Sequence, residues 1–123
     1  MLEERGGEPG TFDIKGVLAQ IVDFVRLRAL QHGVTAANTH DRLDALASGG
    51  HLRPETVAET QAAFDFLMGL RMKRQAGQVL ARLEPDNRID PESLDDGEKK
   101  RLKGVFVYLK AVQSSLDHEF KGV

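Results

Sequence analysis

A chain of 123 residues, 41% hydrophobic and 29% charged, has enough apolar surface for one globular core and too little length for two. Its formal charge of −2 excludes a global attraction to nucleic acid or anionic lipid, so any basic surface is local and nucleic acid is not an expected partner. The lack of cysteine excludes disulfides, thiol catalysis and thiolate metal sites, which agrees with a reducing compartment and makes the cytoplasm the default location.

Residues 1–11 read as a flexible linker, because Glu3-Glu4-Arg5-Gly6-Gly7-Glu8-Pro9-Gly10 has the composition of a mobile segment that follows something upstream. It carries neither the apolar core of a signal peptide nor a span of about 20 apolar residues, so no membrane is expected. Residues 12–123 are expected to form one helical domain.

From about Asp13 to His32, Val17, Leu18, Ile21, Val22, Val25 and Ala29 recur at three- and four-residue spacing, which predicts a first helix that Gly33 stops. Asn38 or Thr39 caps a shorter second helix carrying Leu43, Leu46 and Ala47, ended by Gly49-Gly50. Pro54 suits a first-turn position, and Val57, Phe64, Leu67, Leu70, Val79, Leu80 and Leu83 mark a long third helix closed off by Pro85. Gly69 and Gly77 are places where it could bend. After the turn-rich segment from Asp86 to Ser93, Asp95 and Glu98 form a capping pattern. They open a fourth helix whose stripe runs through Leu102, Val105, Phe106, Leu109, Val112, Leu116 and Phe120. No strand-like alternation or hairpin dipeptide competes, so the fold expected is an all-α, antiparallel helical bundle of about four main helices.

Ionic and amide side chains interrupt the apolar pattern of these helices repeatedly. An unpaired buried polar group costs roughly 1–3 kcal/mol, so a core built for stability alone has little reason to carry them. Asp23 and Arg26 lie three apart on one face, Arg71 and Gln75 four apart on another, and Asn38, Arg42 and Asn87 could join them at one end of the bundle. Such a set suits a phosphate or a ribose held by charge-assisted and amide hydrogen bonds. Asp23, Arg26 and Arg71 also suit a buried ion-pair network that fixes helix register, with Asn87 bracing the last loop.

Two basic runs, Arg71, Lys73, Arg74 and Arg82, then Lys99, Lys100, Arg101 and Lys103, could reach phosphates or an acidic face of another domain, or simply be solvated helix faces. His40 and Asp44 have helical metal-ligand spacing but lack a third ligand, so no metal site is assigned. Phe64, Phe66, Leu67, Met68, Leu70 and Met72 fit a plain core, with Phe66 and Met68 off the main stripe and open to a packing partner.

Read together, Asp13-Ile14-Lys15, Ile21-Val22-Asp23 with Arg26 and Ala29-Leu30, Asn38-Thr39 with Arg42-Leu43, Ala63-Phe64 with Phe66-Leu67, Leu70-Arg71 with Gln75, Asn87 with Ile89 and Pro91, and Leu102-Lys103 carry a resemblance. In order and spacing the chain resembles the C-terminal helical substrate-binding domain of bacterial chains classed as signalling nucleotidyltransferases. Gln20 stands where relatives tend to have proline, Asp95 where serine is common, and Arg74 where a histidine precedes the glutamine, so a role of that histidine does not carry over.

The resemblance implies a helical domain that helps hold nucleotide or acceptor beside a catalytic nucleotidyltransferase domain, behind CBS or cyclic-nucleotide-binding regulatory modules. On this reading Asp23, Arg26, Asn38, Arg42, Arg71, Gln75 and Asn87 form the substrate-binding set, and no residue is catalytic. Nucleotidyl transfer needs a Gly-Ser turn and clustered carboxylates that hold Mg2+ against a nucleoside triphosphate. No such turn occurs in this sequence, so those cofactors are implied for the catalytic domain only.

Two other classes stay open. A pure interaction module would dock on an upstream domain or form a homodimer through an exposed apolar strip at Phe66, Met68 or Phe106. A helical ribonuclease is the third, since Arg26 and His32 with five intervening residues resemble the Arg-to-His motif of helical ribonucleases paired with minimal nucleotidyltransferases. Leu27 stands where that family prefers a polar residue.

Overall fold

The computed structural model describes residues 10–121. Its four main helices are α1 (Ile14–Gln31), α2 (Thr39–Ser48), α3 (Pro54–Leu80) and α4 (Asp96–Glu119), so the chain is all-α as the periodicity predicts. Two residue pairs, β1 (Phe12–Asp13) and β2 (Arg88–Ile89), join as a minimal antiparallel ribbon with Phe12 opposite Ile89 and Asp13 opposite Arg88. Two-residue strands cannot display a period of two, which is why the sequence pattern does not reveal them. The ribbon also takes Asp13, so α1 starts one residue later than its periodicity indicates.

The chain divides into two compact units, one of residues 14–87 and one of residues 10–13 with 88–121. In the first unit each of α1, α2 and α3 packs on the other two. Ile14, Ile21, Val25, Leu43, Leu46 and Leu67 are almost completely buried, each contributing roughly 1.5–3 kcal/mol of transfer free energy. Thr60 is also fully buried. Its hydroxyl donates to the Thr56 carbonyl at 2.7 Å, one turn back, so its polar atom enters the core already satisfied.

All three helices of this unit end in the same way. The residue after the C-cap takes a left-handed conformation, at Gly33, Gly50 and Arg82 with φ of 66°, 70° and 62°. In each case the next amide reaches back to the fifth preceding carbonyl: Val34 to Ala29, His51 to Leu46 and Leu83 to Gln78. This double closure satisfies carbonyls that a helix end otherwise leaves bare. Glycine fits the left-handed turn at no steric cost in α1 and α2, whereas α3 places an arginine there.

Helix α3 therefore stops at Leu80, five residues ahead of Pro85, and Leu83 lies outside it. Val79, Leu80 and Leu83, expected to mark its buried face, are 58%, 85% and 61% exposed. The helix runs unbroken through Gly69 and Gly77. Asn38 is the N-cap of α2, its side chain accepting from the Asp41 amide at 2.9 Å. A Cβ at Gly49 would lie 2.6 Å from the exposed His51 ring, so a larger residue there would displace that ring.

In the second unit, Asp95 and Glu98 form the reciprocal capping box predicted for α4. Leu102, Val105, Phe106 and Leu109 are buried, while Phe120 is 41% exposed, so the apolar stripe thins toward the C-terminus. The Phe106 ring meets Phe12 edge to face, with centroids 5.4 Å apart. Arg88 ties the ribbon to Thr11, its Nε and Nη2 donating to the Thr11 hydroxyl at 3.1 and 2.7 Å. Thr11 is buried, and residues 1–9 of the expected linker lie outside the described residues.

Replacing Arg82 by glycine removes the left-handed strain at the end of α3. Arg82→Gly is expected to stabilise the chain by about 0.5–1 kcal/mol, seen as a melting temperature a few degrees higher. An unchanged or lower melting temperature would mean that the arginine side chain contributes more at this position than its backbone costs.

Candidate functional site

The polar residues of the first unit gather on the C-terminal half of α3. Arg71, Arg74, Gln75 and Gln78 follow one another at helical spacing, and all four are half-buried. The chain returning after the α3 stop lays Asp86 and Asn87 along this row.

The Asn87 side-chain oxygen accepts two hydrogen bonds, from Arg71 Nε at 2.9 Å and from Gln75 Nε2 at 3.1 Å. Gln75 Nε2 also donates to the Asp86 carbonyl at 3.0 Å. Arg74 grips the Asp86 carboxylate with Nε and Nη2, at 3.0 and 3.3 Å. The Asp86 amide donates to the Gln78 side-chain oxygen at 2.9 Å, and the Asn87 carbonyl accepts from the Ile14 amide at 2.8 Å. A two-residue segment is thus fixed by both its backbone and its side chains.

The consequence for Arg71 is geometric. Its Nε is committed to Asn87, which sets the plane of the guanidinium, while among the described residues neither of its η nitrogens has a hydrogen-bond partner. A half-buried guanidinium held at one edge and open at the other offers paired donors to a carboxylate or phosphate. Arg74, by contrast, already has its carboxylate.

Of the seven residues expected to bind substrate, Arg71, Gln75 and Asn87 form one hydrogen-bonded cluster. The other four are placed elsewhere among the described contacts. Asp23 and Arg26 pair with each other at 3.3 Å, with side chains 69% and 54% exposed, as a surface ion pair worth at most about 1 kcal/mol. Asn38 spends its oxygen as the α2 cap and its amide nitrogen on the Asp41 carboxylate at 2.8 Å. Arg42 Nε donates to the Ala36 carbonyl at 2.9 Å, bracing the loop that enters α2.

Asp86 is the member of the cluster that sequence reasoning missed. Arg74 was the available signal, since an arginine on a half-buried helix face calls for a carboxylate. The histidines are also paired differently than the spacing indicates. His40 Nε2 meets Asp65 at 2.9 Å rather than Asp44, and its ring packs edge to face on Phe64. His32 stacks on His51, with centroids 4.1 Å apart.

Among the described residues, no three histidine or carboxylate side chains are grouped to hold a metal ion, and no helix is long and apolar enough to cross a membrane. Residues 1–120 of the sequence match the family described as "Putative nucleotidyltransferase substrate binding domain". No curated protein and no solved structure gives a significant match.

The double acceptance at Asn87 yields a stability test. Asn87→Ala strips the acceptor from two half-buried donors and is expected to cost about 1–3 kcal/mol in chemical denaturation. Asn87→Asp keeps the acceptor and should recover most of that loss. Equal loss in both variants would show that the amide group itself, rather than its oxygen, is what the cluster needs. The match over residues 1–120 shows that the chain belongs to the family described as "Putative nucleotidyltransferase substrate binding domain".

Proposed function

We propose that this chain is the substrate-binding or accessory domain of a cytoplasmic, bacterial signalling nucleotidyltransferase, and that it holds an anionic group of the nucleotide or acceptor at Arg71. The observation that carries this reading is the Arg71 guanidinium, oriented through Nε by Asn87 with its η nitrogens open. Gln75 and Asn87 act as positioning residues. Fixing the guanidinium plane before the ligand arrives lowers the ordering cost of binding.

The domain does no chemistry by itself. Mg2+ and the nucleoside triphosphate fall to the nucleotidyltransferase domain beside it. CBS or cyclic-nucleotide-binding modules are the expected source of its regulation.

A thermal-shift series with ATP, GTP, CTP, UTP, cyclic nucleotides and phosphorylated small molecules tests this. At ligand concentrations near 100 times Kd, binding stabilises the folded chain by about 2.7 kcal/mol, which raises the melting temperature by several degrees. The rise is expected in the wild type and lost in Arg71→Ala, with the ligand-free variant melting close to the wild type. Arg71→Ala that melts far lower while ligand response persists would assign Arg71 to the framework instead.

A second reading, an interaction module, is favoured by a different observation. Phe106, one of its expected strip residues, is buried, and Phe66 and Met68 are half-buried. Exposed apolar side chains lie further along α3 at Met72, Val79 and Leu80 and just beyond its end at Leu83, all at least 58% exposed, and Leu30 of α1 and Val107 of α4 are exposed as well. Such side chains fit docking on the nucleotidyltransferase domain or on a second copy. If it is a homodimer face, sedimentation velocity should show self-association that dilution reverses and Leu80→Glu abolishes. A wild-type chain that stays monomeric at high concentration sinks the homodimer.

The ribonuclease reading has its two residues in separate local arrangements, Arg26 with Asp23 and His32 with His51. It predicts RNA cleavage that His32→Ala removes.

A further inference from the structure

The second unit contains a cavity of about 380 Å3 between the short 3-10 turn Pro91–Ser93 and the first turns of α4. That volume lies within the range of small-molecule sites, roughly 300–1,000 Å3. Leu102 and Phe106 form its apolar floor together with Pro91. Both floor side chains of α4 are buried, at 3% and 9% exposure, and the Phe106 ring is steadied by its edge-to-face contact with Phe12.

The rim is charged. Lys99, Lys100 and Lys103 line the cavity against Glu92 and Asp96. Lys99 is engaged by Glu92, Nζ to Oε2 at 3.4 Å, which leaves that pair nearly neutral. Among the described residues neither Lys100 nor Lys103 has a hydrogen-bond or ion-pair partner. Lying three apart on the helix, the two lysines face the same side.

From this arrangement we infer that the cavity is a binding site for a small organic anion, a flat apolar body resting on Leu102 and Phe106 with a single acidic group between Lys100 and Lys103. The limit of one acidic group follows from Asp96. Its carboxylate lines the same cavity and disfavours additional acidic groups, which sets this ligand apart from a nucleoside triphosphate. The acidic group is a carboxylate or a monophosphate, both of which two ammonium groups accept as point charges. The inference stands independently of the nucleotidyltransferase reading, since it uses none of Arg71, Gln75 and Asn87.

The test is a two-dimensional amide NMR titration of the whole chain with 2-naphthoate and, separately, 2-naphthyl phosphate. At least one is expected to shift the amides of residues 99–106 saturably, and the tighter of the two identifies the acidic group. Lys100→Glu with Lys103→Glu is expected to weaken that binding at least tenfold, while Arg71→Ala leaves it unchanged. Inorganic phosphate, which has no apolar body, and 2-naphthol, which has no charge at neutral pH, should each bind at least tenfold more weakly. No saturable shift, equal binding by either control, or full affinity in the lysine variant would overturn the site. Lys100→Gln with Lys103→Gln repeats the test without charge reversal, should the first variant misfold.

Discussion

One asparagine closes the three-helix unit. Asn87 presents its backbone carbonyl to the first amide of α1 and its side-chain oxygen to two residues of α3, so residues 14, 71, 75 and 87 are joined through one side chain and one peptide group. A carbonyl oxygen has two lone pairs, and the Asn87 side-chain oxygen directs both at half-buried donors. Hydrophobic burial holds α1, α2 and α3 together without choosing their register finely. The Asn87 bonds are directional and act where the chain leaves the unit.

The neighbouring pair shows why the order of contacts matters. Arg74 and Asp86 are 37% and 45% exposed, where an isolated ion pair contributes little. Here the Asp86 backbone is also bound, its amide to Gln78 and its carbonyl to Gln75. The entropy of ordering the segment is thus offset by several bonds, and the carboxylate reaches Arg74 at small additional cost. Had Arg74 lacked that partner, it would compete with Arg71 for Asn87 or for any anion that approached.

Much of this was legible in the sequence, and the exceptions have physical causes. The glycines at positions 33 and 50 announce the ends of α1 and α2 because only they take a left-handed turn freely. Arg82 takes the same turn and gives no such signal, so α3 reads as running to Leu83 and not stopping at Leu80. The apolar residues Val79, Leu80 and Leu83 reinforced that error, since periodicity reports which face is apolar and not whether anything covers it. The capping box of α4 was visible as a spacing of three, a purely local pattern. The Phe12 to Ile89 pairing joins residues 77 apart through strands too short to have a period.

The candidate site divides along the same line. The i, i+4 spacing of Arg71 and Gln75 placed them together correctly, and their meeting with Asn87 depends on a turn that the sequence also marks with proline and aspartate. Asp23 and Arg26 have equally good spacing and end as an exposed pair, because helical spacing fixes which residues are neighbours and says nothing about solvent. What separates the two sets is the third partner. A charged pair on a bare helix face satisfies itself and is finished. An arginine oriented by an amide, which cannot neutralise it, keeps its full charge and a fixed plane, and a recognition site needs both. The same distinction separates Lys99, neutralised by Glu92, from Lys100 and Lys103 above their apolar floor. Arg71 is the cation that the fold orients without neutralising, while Lys100 and Lys103 are left unneutralised beside an apolar floor.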